Sequence, residues 1–145
     1  MFGCKDPIYL SYEDLRKPIV TIPSREVANL GKIYVYKNLI LANERNEGIH
    51  VFDNSDPSAP KYVLFIKIPG NLDIAVKDSY LFADSYIDLE VIDISNTENL
   101  SEVKRIKDMF PYDTYQNIPE DICIYEYDQS KGVVVGYKER TNENK

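Results

Sequence analysis

The chain has 145 residues, and its 17 basic and 24 acidic side chains leave a formal charge of −7. That balance argues against a phosphate-tracking groove, which needs a concentrated basic face. With 28% charged and 43% hydrophobic residues the chain is not broadly disordered, and no apolar run approaches the ~20 residues that cross a bilayer. Sixteen Ile, eleven Val, twelve Tyr and five Phe outnumber ten Leu and five Ala, a bias towards sheet over helix.

Residues 1–30 read as a lead-in. Met1-Phe2-Gly3-Cys4 has an apolar residue at −3 and Gly at −1 of the cysteine, the minimal form of a bacterial lipobox. Its competing reading is chance near a start codon, since Phe2 is bulky there and no basic or apolar leader precedes it. Ser11-Tyr12-Glu13-Asp14 has capping-box form and predicts a short helix that Pro18 ends by residue 17. Residues 19–30 read as extended.

A repeat follows. Ile33–Asn43 aligns with Ile74–Asp84 at an offset of 41. After one residue is removed near Gly48, Val51–Pro57 aligns with Val91–Thr97, and Val63, Ile66 and Lys67 align with Val103, Ile106 and Lys107. Nine of the paired positions are identical, and the apolar positions match best. Each unit predicts four short strands, near 32–36, 39–43, 48–53 and 61–68 in residues 31–70, and near 72–76, 80–84, 89–94 and 101–107 in residues 71–110. Lys37-Asn38 and Asp78-Ser79 are two-residue hairpin turns without the usual Gly. Ile49 and Val51 share one strand face and His50 and Phe52 the other, so both faces carry apolar residues. A sheet of that kind is expected between neighbouring sheets. Residues 111–137 predict a partial third repeat, with strands at Asp121–Tyr127 and Gly132–Tyr137. Residues 138–145 form a polar tail.

Gly48-Ile49-His50-Val51-Phe52-Asp53-Asn54-Ser55-Asp56-Pro57 and Leu89-Glu90-Val91-Ile92-Asp93-Ile94-Ser95 resemble the LVIVD repeat, whose core is G-L-x-V-[IV]-D-I-S-[DN]-P. That family forms β-propellers in bacterial envelope and surface proteins. Gly31–Val35 and Lys131–Gly136 are similar to parts of a lipoprotein subgroup within it. The resemblance implies an all-β chain of tandem four-stranded antiparallel propeller-type blades. Here about two and a half repeats make an incomplete propeller. It also implies a cell-envelope location, as an outer-membrane lipoprotein acylated on Cys4 if a signal peptide lies upstream. The chain as written would stay cytoplasmic. Thr97 departs from the motif, which has Pro there. Closed propellers use roughly four to eight blades. So short an array predicts a fragment of a longer gene, the favoured reading, or else a multi-chain assembly or an open stack. Open blade edges are expected to pair with further blades or other chains.

Asp53, Asp56 and Asp93 are expected to accept backbone N–H groups in turns. A calcium reading of Asp53–Asp56 lacks the Gly and distal Glu of an EF-hand, so no metal is expected. His50 aligns with Glu90 and is expected at a solvent-facing rim. No G-x-S-x-G supplies it with a nucleophile. Cys123 reads as a small buried hydrophobe. Asp84 and Asp88 have in principle the chemistry of a general acid and base, but nothing in the sequence fixes their separation and a solvated turn is the preferred explanation. No cofactor fingerprint is present. The expected function is a non-enzymatic binding scaffold for a protein or glycan, without nucleic acid, and with membrane contact only through the lipid anchor. The alternative is a hydrolase-like propeller enzyme whose acidic loop site is completed by further blades.

Overall fold

The computed structural model describes residues 5–112 and 128–139. These fall into two units, one from the described parts of Met1–Lys17 and Pro111–Lys145, the other Pro18–Phe110.

The first unit joins sequence-distant segments. Strand β1 (Lys5–Leu10) runs into a single helical turn α1 (Tyr12–Leu15). The Ser11 side chain accepts the Asp14 N–H at 3.1 Å, as the capping signature requires. The strand at the far end of the described chain spans Val133–Glu139 and pairs antiparallel with β1. Its expected neighbour, Asp121–Tyr127, lies outside the described residues. The pairing of the lead-in with this strand was not legible in the sequence. Tyrosines tie the unit together: Tyr12 donates to the Gln129 carbonyl at 2.6 Å, Tyr112 donates to the Gly132 carbonyl at 2.8 Å, and the Tyr9 hydroxyl accepts the Asp128 N–H at 2.9 Å.

The second unit holds two sheets. Strands β3 (Leu30–Tyr36), β4 (Leu39–Glu44), β5 (Gly48–Asp53) and β6 (Lys61–Lys67) form an antiparallel meander. Strand β2 (Val20–Ile22) adds to its outer edge beside β6. The second meander is β7 (Ile74–Lys77), β8 (Tyr80–Ser85), β9 (Asp88–Asp93) and β10 (Ser101–Ile106).

The two sheets are built alike. Leu41 faces Val51 and Ala42 faces His50, just as Phe82 faces Val91 and Ala83 faces Glu90. Both ladders slip by one residue between the third and fourth strands, leaving Val63 or Val103 as the extra residue of a bulge. Both first hairpins place a non-glycine residue in the left-handed region, Lys37 at φ 51° and Asp78 at φ 56°. The deletion in the alignment falls in the next turn. Arg45-Asn46-Glu47 connect β4 to β5, whereas Tyr86-Ile87 alone connect β8 to β9.

Face-to-face packing of the sheets makes the core. From the first sheet come Leu41, Ile49, Val51, Ile66 and the following Ile68; from the second come Ile74, Leu81, Ala83, Ile92 and Ile94. Each large side chain in that set contributes roughly 1.5–3 kcal/mol by leaving water. The linker between sheets is tightly bound. Ile68 N–H reaches the Glu47 carbonyl at 3.0 Å and Gly70 N–H reaches the Asn46 carbonyl at 2.8 Å.

Gly48 allows β5 to start beside β6. It has φ +146°, and an added Cβ would lie 1.9 Å from the Ile66 carbonyl oxygen. Gly48→Ala should therefore destabilise the fold by roughly 3 kcal/mol in urea unfolding. Gly136→Ala, where a Cβ meets only Ile8 Cδ1 at 3.8 Å, should change the midpoint little.

Candidate functional site

The third strand of each sheet carries a polar residue in an apolar row. In the first sheet this is His50, and its position corrects the sequence expectation: the ring is fully buried rather than at a solvent-facing rim. Its Nε2 lies 2.8 Å from Glu44 Oε1 and its Nδ1 lies 2.6 Å from the Tyr62 hydroxyl. Phe65, its partner across the ladder, packs at a tilt with 4.9 Å between ring centroids, and Phe52 lies at 6.2 Å. Residues 23–29 strap across this face. The backbone N–H groups of Ala28 and Asn29 donate to Glu44, the former at 2.9 Å. The Arg25 guanidinium sits 5.0 Å over Phe65 and 3.1 Å from Glu47. Burial pushes the Glu44 carboxyl up, but the Ala28 N–H, His50 and the Asn29 N–H together hold it below its usual value. Phe52, on the same strand face as His50, was the available signal that this face is covered.

The second sheet solves the same rung differently. Glu90 takes the His50 position and Arg105 the Phe65 position, and the two are ladder partners. Arg105 Nη2 donates to Glu90 Oε1, Nη1 donates to Asp88 Oδ2 at 3.1 Å, and Nε lies 3.6 Å from Glu102 Oε1. Asp88 also accepts the Asp108 N–H at 3.0 Å. Burial raises the Glu90 carboxyl from 4.5 to about 7; Arg105 opposes this, while Glu102 and Asp88 add to it.

A third polar cluster crosses between the sheets. Asn43 Nδ2 donates to Asn71 Oδ1 at 2.7 Å, and Asn71 Nδ2 donates to Asp84 Oδ1 at 3.0 Å. The same Asp84 oxygen accepts the N–H groups of Leu72 at 2.8 Å and Asp73 at 2.9 Å. This carboxylate anchors the chain where it enters β7. Asp84 pairs with Leu89 and Asp88 with Ser85, so the two acids project from opposite faces of one sheet. The structure does not bring them together as an acid–base pair.

The turn aspartates lie on loops. Asp53 Oδ1 accepts the Ser55 N–H at 2.8 Å, Asp93 Oδ1 accepts the Ser95 N–H at 2.9 Å, and Asp56 Oδ1 accepts the Ser58 N–H at 3.1 Å. Asn96, the repeat mate of Asp56, accepts the Glu98 N–H at 3.0 Å. Hydrogen bonds from Ser55, Ser58 and Ser95 hold the three carboxyls below their usual value. Among the described residues no group of three or more His, Cys, Asp or Glu side chains is arranged to hold a metal ion. Cys4 and Cys123 lie outside the described residues.

These clusters give two measurable outcomes. His50→Ala should cost roughly 2–4 kcal/mol in urea unfolding, because it opens a cavity and leaves Glu44 and Tyr62 short of a buried partner. A rim histidine would cost under about 0.5 kcal/mol. Glu90 binds its proton more tightly folded than unfolded, so its stabilising effect is complete below pH 4.5 and is lost as pH rises through about 7. Glu90→Gln should therefore gain on the wild type by something on the order of 2 kcal/mol between pH 4.5 and pH 8. Parallel stability curves for the two proteins would contradict this.

The LVIVD repeat family matches residues 71–108. That span starts at Asn71, in the linker, and ends at Asp108, whose N–H is bound by Asp88, so it encloses the whole second sheet. No curated protein and no solved structure matches the chain. The match places one LVIVD repeat, a β-propeller-type unit, at residues 71–108, and the paired architecture of the two sheets is consistent with an incomplete propeller-like fold.

Proposed function

We propose that this protein is a non-enzymatic scaffold of the bacterial cell envelope that binds a protein or glycan partner, held at the membrane by lipid on Cys4. The carrying observation is how the polar side chains inside the sheets are employed. His50 is closed off between Glu44 and Tyr62. Arg105 is committed to Asp88 and Glu90. Asp84 binds the linker backbone. General acid–base chemistry needs such groups within reach of a substrate, and here they stabilise sheets instead. The envelope and the lipid come from the resemblance of Gly48–Pro57 and Leu89–Ser95 to LVIVD repeats and from the Phe2-Gly3-Cys4 pattern. A diacyl anchor provides durable attachment where one chain does not.

Two experiments test this reading. Metabolic labelling with an alkyne palmitate analogue should mark the product of the full gene and lose the mark in Cys4→Ser. Equal labelling of both, or of neither, would remove the lipid anchor. On an array of envelope glycans the full chain should be retained without releasing product. Turnover that disappears in Asp84→Asn or Asp88→Asn would replace the scaffold with a hydrolase.

A further inference from the structure

The two sheets use equivalent positions, so the one interface between them is a template for what each outer face fits. The first sheet meets the second through Leu41, Ile49, Val51 and Ile66, with Val63 packed alongside. The second meets the first through Ile74, Val76, Leu81 and Ile92. The first sheet carries the second kind of face on its other side. There Ile33, Val35, Ile40 and Phe52 stand at the positions of Ile74, Val76, Leu81 and Ile92. Ile33 is 59% exposed against 6% for Ile74, and Val35 is 63% exposed against a half-buried Val76; Ile40 and Phe52 are half-buried where Leu81 and Ile92 are fully buried. The strap at 23–29 covers the His50 end of this face and leaves the Ile33–Val35 end open. The outer face of the second sheet is largely of the first kind, with the half-buried Phe82, Leu89 and Val91 at the positions of Leu41, Ile49 and Val51, and with the exposed Lys104 where the first sheet has the packed Leu64. On it Val103, the mate of the packed Val63, is 53% exposed.

We infer that the Ile33–Val35–Ile40–Phe52 face docks a second copy of this chain, through the Phe82–Leu89–Val91–Val103 face of that copy's second sheet. The contact is head-to-tail, a heterologous interface that continues the stacking already present within the chain. Charge sets its register. Lys32 pairs with Asp73 at 2.6 Å across the existing interface, and these two residues occupy the same repeat position. When the stack continues, Asp73 of one copy therefore meets Lys32 of the next, again with opposite sign. Both side chains are well exposed, so the pair supplies orientation more than affinity. The interface depends on the repeat alone, not on the envelope location or the lipid.

Sedimentation equilibrium on the full chain tests this. The wild type should show a mass above monomer that rises with concentration. Val35→Lys and Val103→Lys each charge a position already exposed, so far-UV circular dichroism should be unchanged. Each variant alone should be monomeric, with association weakened at least tenfold. Their equimolar mixture should form a discrete heterodimer, because each variant retains the face the other has lost. A wild type that stays monomeric at every concentration, or a mixture that stays inert, would overturn the inference. So would a variant that associates as well as the wild type.

Discussion

A sheet with apolar residues on both faces cannot leave either face in water without cost, and that constraint organises the described structure. β4 and β5 present Leu41, Ile49 and Val51 on one side and Ala42, His50 and Phe52 on the other. Burying the first set requires another sheet, which the chain supplies 41 residues later by repeating itself. The hydrophobic effect gives the stack its energy. The Asn43–Asn71–Asp84 chain of hydrogen bonds adds direction, because it ties a buried side chain of each sheet to the linker between them.

The polar rung of the third strand shows how one repeat position adapts to its surroundings. Against the backbone of residues 23–29 it is a histidine, bracketed by a carboxylate and a phenol. Within the second sheet it is a glutamate opposite an arginine. Both are buried; His50 has a partner at each ring nitrogen, whereas Glu90 has Arg105 on Oε1 and no hydrogen-bond partner on Oε2. A buried polar group without partners would be more costly than an apolar one, so the partner changes with the residue: Phe65 beside His50, Arg105 beside Glu90. Polar residues in a repeat of this kind are thus explained first by the sheet they sit in.

Much of this was legible in the residues. Alternation along Ile49–Asp53 and its copy, the turn residues Asn54–Pro60 and the paired spacing of apolar positions place eight strands to within a residue or two. They do so because side-chain period and turn chemistry are local properties. The short helix was legible for the same reason, since Ser11 caps three residues away. His50 was misplaced because aligning it with Glu90 gave the type of the position and not its surroundings. A charge at a repeat position suggests solvent only when the face is wet, and this one is roofed by backbone N–H groups from residues 28 and 29.

The sequence by itself determined the repeat, the strands within it, the bare non-glycine hairpins and the Asx turns at Asp53 and Asp93, all set by neighbours a few residues apart. Only the tertiary structure decided that β1 pairs with Val133–Glu139, that residues 23–29 close over His50, that Arg105 gathers Asp88 and Glu90, and that Asp84 and Asp88 diverge. Those are contacts between segments distant in sequence or across a ladder. They follow from which sheet face is buried against what, a quantity that no local pattern encodes.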